Sequence, residues 1–127
     1  MAMRTVAAVF AAVFLSLGGA GGQDFPNKVL TILVPYPPGG PTDATARVVA
    51  AGLSTRLGQQ VVVENVSGAG STIAMTRVAR AQPDGYTLLV HNMAHTSAIA
   101  LFPSVHLDPV KDFAAIGLIN SNGNIIV

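Results

Sequence analysis

The chain has 127 residues, half of them hydrophobic, and it carries seven basic and six acidic side chains. A charge balance this close to neutral gives no electrostatic reason to bind nucleic acid or an anionic membrane. The sequence contains no cysteine, which excludes a disulfide framework and a thiol nucleophile.

The N-terminus has the composition of a secretory signal peptide. Met1–Arg4 carries one positive side chain, Val6–Leu17 is an uncharged apolar run, and small residues follow as far as Gly22. The run is shorter than the ~20 residues that a membrane-spanning helix needs, although a membrane anchor is the alternative interpretation. We therefore expect a signal peptide over 1–22 that is cleaved on export, followed by a mature domain over 23–127.

Three nearly continuous apolar runs alternate with helical patterns in the next part of the chain. Strands that are covered on both faces read as unbroken apolar runs, as these do. Their alternation with helices predicts an α/β fold with a parallel βαβαβ sheet and right-handed crossovers. In chain order, the predicted elements are a strand over Val29–Val34, a helix over Ala46–Leu57 ended by Gly58, a strand over Gln60–Glu64, a helix over Ala74–Ala81 and a strand over Tyr86–Val90.

The last part of the chain has a weaker pattern. Ala94–Leu101 predicts a third helix, Phe113 falls in a predicted helical turn, and Ala115–Ile119 and Ile125–Val127 predict two further strands. Because domains seldom end on an apolar strand, we expect the sequence to be the front portion of a longer protein.

The first strand and the first helix are joined by a segment rich in proline and glycine, Pro35–Asp43, here called the first corner. Gly39 and Gly40 have no Cβ, so their backbone can approach a ligand closely. Pro41 suits the first position of a helix, and the carboxylate of Asp43 can cap free N–H groups there. Bare backbone at a helix start favours an acceptor-rich ligand, most simply an anion.

The second strand and the second helix are joined by Asn65–Thr72, here called the second corner. Like the first corner, it combines exposed backbone with the start of a helix. Asn65 offers donors and acceptors, Ser71 or Thr72 is a natural N-cap, and three residues expose backbone: Gly68, Ala69 and Gly70. In a parallel sheet both corners lie at the carboxyl edge and can face one ligand. Neither corner carries Lys or Arg, so backbone dipoles, hydroxyls and water would hold an anion. A tight connection that binds nothing is an equally good interpretation of either corner alone.

Catalytic and metal-binding patterns are weak. There is no Gly-x-Ser-x-Gly elbow and no nucleotide-binding glycine motif, and no glutamate accompanies His91 and His95 as in a zinc-protease helix. His91 and Asn92 fall at the end of the third strand and can line the same pocket. The alternative is that His91 is only a polar strand end, with His95 and His106 on the surface. Tyr36 provides a pocket wall or packs against its own loop.

Four segments occur in the order and at the spacing found in the Bug family: VPYPPGGPTDATAR, VVVENVSGAGSTIA, RAQPDGYTLLV and LFPSVHLDPVKDFAAIG. From about Phe25 onwards the sequence therefore resembles these receptors of tripartite tricarboxylate transporters. The resemblance implies a type II periplasmic binding-protein fold, in which two α/β lobes close like a flytrap on a small carboxylated solute. It implies a periplasmic, monomeric protein without a cofactor or enzymatic activity, which delivers citrate-like acids, acidic amino acids or aromatic carboxylates to a membrane permease.

The resemblance also implies which residues contact the ligand. The first ligand loop would be Pro35–Asp43 and the second Asn65–Ser71, where Ser67 replaces a commonly seen proline. Family members typically hold a ligand carboxylate with backbone groups and bridging waters. With the residues suggested by position alone, the candidate ligand-binding set is Tyr36, Pro38, Gly39, Gly40, Thr42, Asp43, Asn65, Gly68, Ala69, Gly70, Ser71, His91 and Asn92.

Family members are roughly twice this length or more, as two lobes of ordinary domain size require. The sequence therefore predicts a partial N-terminal lobe, with the second lobe absent, of an extracytoplasmic receptor for a small organic carboxylate. Two alternatives are an exported α/β enzyme that acts on a small anionic substrate and a fragment without function.

Overall fold

The computed structural model of the chain describes residues 25–121. The predicted signal peptide and the predicted strand over Ile125–Val127 lie outside these residues. In chain order the elements are β1 (Leu30–Val34), α1 (Pro41–Leu57), β2 (Val61–Asn65), a 3₁₀ turn (Ala69–Ser71), α2 (Thr72–Ala79), β3 (Thr87–Leu89) and α3 (Ala94–Leu101).

The three strands form one parallel sheet in the order β2-β1-β3. Leu30 is opposite Val61 and Val34 is opposite Asn65, so β1 and β2 end at the same level. The N–H of Val90 extends the β1–β3 pairing by donating to Leu33 O over 3.0 Å. This arrangement confirms the predicted parallel βαβαβ sheet and places all three strand-to-helix connections at one edge.

The central strand β1 is buried on both faces, which explains its unbroken apolar sequence. Ile32 and Val34 belong to one buried cluster with Ala46 and Ala50 of α1. Leu33 points to the other face, where α2 packs against β1 and contributes its buried residues Ala74 and Met75. Each fully buried aliphatic side chain of this size stabilises the fold by about 1.5–3 kcal/mol.

The ends of α1 confirm two predictions. Pro41 stands in the first turn, where its missing N–H is not needed, and the helix begins there. Gly58 ends the helix in the left-handed conformation (φ 66°), and its N–H donates to Ser54 O over 3.1 Å. Glycine adopts this conformation without the steric penalty that other residues bear.

Helix α3 confirms the predicted third helix, but the chain beyond it differs from prediction. The predicted helical turn after Leu107–Pro109 is a single turn, closed by the Asp112 N–H donating to Asp108 O over 3.1 Å, and it ends before Phe113. The predicted strand over Ala115–Ile119 is wrong: these residues have no regular structure, and Ile116 is 83% exposed. Apolar residues alone do not make a strand, because a strand needs a neighbour to accept its hydrogen bonds.

Within residues 25–121, the helices are too short or too polar to cross a bilayer.

Candidate functional site

Three connections meet at the carboxyl edge of the sheet. They are the first corner between β1 and α1, the second corner between β2 and α2, and the segment 90–93 between β3 and α3. In open α/β sheets this edge is where ligands bind. The candidate residues from all three connections are therefore brought to one side of the molecule.

The first corner is closed by the carboxylate of Asp43, which is only 2% exposed. Its Oδ2 accepts hydrogen bonds from the Gly39 N–H and from Arg47 Nε, each over 2.9 Å. Its Oδ1 accepts from Asn65 Nδ2, also over 2.9 Å. The hydrogen bond from Arg47, then those from Gly39 and Asn65, hold the pKa of Asp43 far below its usual range. Asp43 therefore caps the N–H of Gly39, before the helix begins, and is ionised and fully partnered.

Arg47 was missed by the sequence reasoning, which took both corners to be free of basic residues. It lies one turn into α1, and its Nη2 donates to Asn65 Oδ1 over 3.2 Å. Asn65 also donates through Nδ2 to Tyr36 O over 3.0 Å, so it ties the end of β2 to the first corner. The i,i+4 spacing of Asp43 and Arg47 on a helix is the sequence pattern that indicates this ion pair.

The second corner has unusual backbone geometry. Four consecutive residues, Gly68, Ala69, Gly70 and Ser71, have φ values of 133°, 44°, 60° and 77°. A Cβ at Gly70 would overlap the ring of Phe102 and lie 2.9 Å from its Cζ, so only glycine fits there. Non-glycine residues at positive φ store strain and are concentrated at functional sites. Ala69 and Ser71 are such residues, which favours a functional role for the second corner.

Ser71 stands at the N-cap position of α2, which is one of the two predicted positions. Contrary to expectation, its side chain makes no capping hydrogen bond. Its hydroxyl donates to Gly70 O instead. Thr72, the other predicted cap, donates through Oγ1 to Ala69 O over 2.7 Å. The hydroxyls of Ser71 and Thr72 are therefore engaged with carbonyl groups of this corner.

His91 is oriented by the backbone and contacts Ser71. Its Nδ1 lies 2.9 Å from N and 3.0 Å from O of Asn92, and its Nε2 lies 3.0 Å from Ser71 Oγ. Both tautomers of the neutral ring fit these contacts. Burial lowers the pKa of His91, so its neutral form is favoured. The contact between Ser71 and His91 joins the second corner to the end of β3.

Tyr36 lies beside this pair. Its hydroxyl donates to Asn92 Oδ1 over 2.7 Å, and burial raises its pKa, opposed by hydrogen bonds with Asn92 and Ser71. Its ring centroid is 5.6 Å from that of His91, which is in turn 5.3 Å from that of His95. His95 packs on Phe113 and donates through Nε2 to Pro109 O over 3.1 Å.

The three histidines therefore differ in environment. The expectation of a surface position is right for His106 and wrong for His95, which is half-buried. Over residues 25–121, acidic and histidine side chains do not gather in the groups of three that a metal site needs.

A pocket of about 370 Å³ lies between the second corner, Tyr36 and α3. Its lining comprises Pro35, Tyr36, Pro37, Ser67, Gly68, Gly70, Ser71, Ala94, Ser97, Ala98, Leu101 and Phe102. Among the candidate residues, those in the lining are Tyr36, Gly68, Gly70 and Ser71, while His91 and Asn92 bond to two of these. The candidates outside the lining are Pro38, Gly39, Gly40, Thr42, Asp43, Asn65 and Ala69.

The wall of this pocket on α3 was also missed by sequence reasoning. Ala94, Ala98 and Leu101 recur at i, i+4 and i+7, which places them on one face of the helix. The sequence predicted the helix but gave no reason to turn that face towards the second corner. The approach of Phe102 to Gly70 supplies that reason in the structure.

Comparison with known proteins identifies the family. The family model described as "Tripartite tricarboxylate transporter family receptor" matches residues 45–127. A UPF0065 protein of Agrobacterium vitis is 40% identical over 119 residues, which cover 94% of this chain and 34% of the relative. The chain thus spans about a third of the length of that curated relative.

Two solved structures from Rhodopseudomonas palustris share the fold. MatC with bound malate is 49% identical, with a TM-score of 0.66 over 70% of this chain and 31% of MatC. A second protein, solved with adipate, is 44% identical, with a TM-score of 0.51 over 52% of this chain and 22% of its own. These matches confirm both the periplasmic binding-protein fold and the resemblance found in the sequence: the chain belongs to the receptor family of tripartite tricarboxylate transporters.

Proposed function

We propose that the protein is the N-terminal part of an extracytoplasmic receptor that captures a small organic carboxylate for a tripartite tricarboxylate transporter. The observation that carries the proposal is the pocket of about 370 Å³ at the carboxyl edge of the sheet. This volume lies in the range of small-molecule sites, about 300–1,000 Å³. Family membership and the two neighbours solved with malate and adipate support a carboxylate as its ligand.

The second corner supplies the polar end of the proposed site. The hydroxyls of Ser67, Ser71 and Tyr36 surround it, and the start of α2 adds a dipole that favours negative charge. A hydrogen bond between His91 Nε2 and Ser71 Oγ holds that serine beside the pocket. The O–H groups of Tyr36 and Ser71 donate to Asn92 Oδ1 and Gly70 O. We therefore expect ligand oxygens to be held by the Ser67 hydroxyl, by backbone N–H groups and by water, without a salt bridge.

The remaining parts of the receptor cycle are proposals by family membership. The second lobe closes over the ligand as hinged binding proteins do, and the loaded receptor delivers it to the permease subunits as a monomer. Cleavage of residues 1–22 on export leaves the domain over 23–127 in the periplasm, and another solved neighbour, 51% identical, is described as a periplasmic transporter.

We favour a receptor over an exported enzyme. The family to which the chain belongs is one of receptors, and two of its solved relatives hold malate and adipate. The ligand is therefore released unchanged, and a carboxylate should be recovered intact after incubation with the protein.

A thermal melt of the full chain, followed by circular dichroism, tests the proposal against a panel of mono-, di- and tricarboxylates. A ligand at a hundred times its Kd stabilises the state that it binds by about 2.7 kcal/mol. That is worth about 10 °C or more in a domain of this size. We expect one class of acid to raise the midpoint, and a melt that no acid changes would contradict the proposal.

Two variants make the melt specific for the pocket. Ser67→Ala removes a pocket hydroxyl and should lose most of the ligand-induced shift, measured against its own ligand-free melt. Thr55→Ala removes an exposed hydroxyl on α1, which donates to Ala51 O in its own helix. The Thr55→Ala variant should keep the full shift.

A further inference from the structure

We infer that His91 couples ligand capture to pH: its imidazole lies against Ser71 of the second corner, and on taking up a proton it becomes a cation that strengthens the binding of an anion in the pocket. The inference rests on the proposed function and adds a regulation of the same pocket. His91 is outside the pocket lining, so it acts across Ser71 as a positioning residue.

The imidazole of His91 is one side chain away from the pocket. Its Nε2 lies 3.0 Å from Ser71 Oγ, and Ser71 is part of the lining. The ring also packs edge-on against Tyr36, with centroids 5.6 Å apart, and against His95, with centroids 5.3 Å apart. A carboxylate bound at the second corner would be separated from the ring by a single serine, and an opposite charge this close favours the charged form of a histidine.

Both ring nitrogens of His91 face an oxygen that can accept a hydrogen bond. Nδ1 lies 3.0 Å from Asn92 O, and Nε2 lies 3.0 Å from Ser71 Oγ, whose own proton is donated to Gly70 O. The imidazolium form donates through both nitrogens, so it finds two acceptors in the present rotamer. The N–H of Asn92, which loses Nδ1 as an acceptor, belongs to an exposed residue and can bond to water. The charged ring therefore fits this position as well as the neutral ring does.

Without a ligand, the surroundings of His91 oppose its protonation. Burial lowers its pKa, hydrogen bonds with Asn92 raise it, and a charge on His95 lowers it. Of the other groups around the ring, Tyr36 stays neutral because burial raises its pKa. Asp43 in the first corner stays ionised because hydrogen bonds hold its pKa far below this range. Burial and His95 thus keep the ring neutral until an anion binds nearby.

The charges behind His95 are held within one turn. His95 contacts Pro109 O through Nε2 over 3.1 Å, and the same turn carries Asp108, Lys111 and Asp112. Lys111 Nζ lies 3.3 Å from Asp108 Oδ2, and Asp112 Oδ2 accepts from the Asp108 N–H over 2.8 Å. The ring of His95 contacts both this turn and His91, so these charges face the second corner only across that ring.

Binding of an anion and protonation of His91 should therefore favour each other. A carboxylate beside Ser71 raises the pKa of the ring, and by reciprocity the protonated ring raises the affinity for the carboxylate by the same factor. A rise of one pKa unit corresponds to about a tenfold gain in affinity. Because burial sets the pKa of the free ring below 6.5, the gain is acquired as the solution becomes mildly acidic.

Isothermal titration calorimetry of the full chain at pH 7.5, 6.5 and 5.5 tests the inference with benzoate, malate, adipate and citrate as probes. Relative to His91→Gln, we expect the affinity of the acids that bind to rise about three- to tenfold from pH 7.5 to 5.5. His106→Gln makes the same change at an exposed histidine and should keep this rise. Protonation of the acid itself is the same in all three titrations and cancels in the comparison.

An NMR titration of the histidine ring signals needs no variant. It gives the pKa of His91 in the unmodified chain with and without a saturating concentration of the acid that binds. We expect the acid to raise this pKa by about half a unit to one unit. A histidine that only held the loop in shape would show no such shift.

The outcomes separate the inference from the proposed function. The same pH dependence of affinity in the unmodified chain and in His91→Gln would overturn the inference and leave the carboxylate receptor intact. A bound acid that leaves the pKa of His91 unchanged would do the same. Failure of all four acids to bind would overturn the proposed function, and the inference with it.

Discussion

The two corners are both glycine-rich, but the first is held by hydrogen bonds within itself and the second lines a pocket. The first corner is internally complete: its glycine N–H, the buried Asp43 carboxylate and Arg47 satisfy one another. The second corner has no carboxylate, holds four consecutive residues at positive φ and opens onto a pocket. Two glycine-rich connections at the same edge of one sheet therefore differ in role. The first corner stabilises the start of α1, and the second corner is a candidate binding loop.

The difference lies in the residue that follows each glycine by one helical turn. Four residues after Gly39 stands Asp43, whose carboxylate accepts the loop N–H. Four residues after Gly68 stands Thr72, whose hydroxyl donates to Ala69 O. An acidic side chain at this position satisfies the N–H groups of its own loop, and a hydroxyl leaves them to other acceptors. A glycine-rich corner therefore suggests ligand binding only when the next turn offers no internal anion.

The largest effect should come from Gly70→Ala compared with Gly39→Ala. Both glycines have positive φ, but a Cβ at Gly39 meets nothing within 4 Å, whereas at Gly70 it overlaps Phe102. We expect Gly70→Ala to lower the free energy of unfolding by about 2–5 kcal/mol, from the left-handed conformation and the overlap together. Gly39→Ala should lower it by about 1–2 kcal/mol. Urea denaturation measures both, and equal losses would contradict the difference between the corners.

Removal of Asn65 should have the next largest effect, because it joins the corners. Asn65→Ala breaks its hydrogen bonds with Tyr36 O, Asp43 and Arg47. We expect the free energy of unfolding to fall by about 1–3 kcal/mol. Asn120→Ala, at an exposed position without regular structure, should change it by less than about 0.5 kcal/mol. A similar loss of unfolding free energy in both variants would show that the hydrogen bonds of Asn65 do not stabilise the fold.

The second corner should respond to mild acid through His91. Burial lowers the pKa of His91 from 6.5, so the unfolded chain binds its proton at a higher pH than the folded chain does. Stability is therefore full above pH 6.5 and is lost as the pH falls through the lower pKa of the folded state. We expect His91→Gln to show a smaller loss over this window in unfolding experiments at stepped pH. If the unmodified chain and the His91→Gln variant lost stability identically over this pH range, His91 would not be the group that titrates.

The first corner should respond only to stronger acid. The pKa of Asp43 is depressed from 3.8, mainly by its hydrogen bond from Arg47, so its stabilisation is present above pH 3.8 and is lost below it. Asp43→Asn should flatten the stability curve below pH 3.8 and leave the response between pH 5 and 6.5 unchanged. If Asp43→Asn altered the response between pH 5 and 6.5, the two corners would not titrate separately.

The smallest effect should come from a change outside both corners. Gly52 lies exposed in the middle of α1, and a Cβ there meets nothing within 4 Å. Gly52→Ala should raise the free energy of unfolding by about 0.5–1 kcal/mol through helix propensity alone. It should leave ligand affinity unchanged, which makes it a stability control for every corner variant.

Local and periodic features of the sequence predicted most of the fold. The apolar runs of β1 and β2, Pro41 at a helix start and Gly58 at a helix end each act through their own backbone conformation or through burial on both faces. The predicted strand over Ala115–Ile119 failed because a strand also depends on a partner, which is not a property of its own residues.

The candidate site was less predictable for the same reason. Tyr36, Gly68, Gly70 and Ser71, which line the pocket, were candidates from the sequence because loop chemistry is local. Arg47 and the face of α3 were not, because their place at the site follows from side-chain reach and helix packing. In the first corner, Asp43 accepts a hydrogen bond from the Gly39 N–H of the loop. The sequence alone equally allowed Asp43 to accept from the N–H groups of the helix, so this contact could not be predicted.

The most direct test of the account is an NMR titration of the ¹⁵N-labelled full chain with the acid that raises the melting midpoint most. If the second corner holds the carboxylate, the amide signals of residues 67–72 should shift in proportion to saturation, and those of 39–43 should stay in place. Shifts confined to 39–43 would contradict the account and move the site to the first corner.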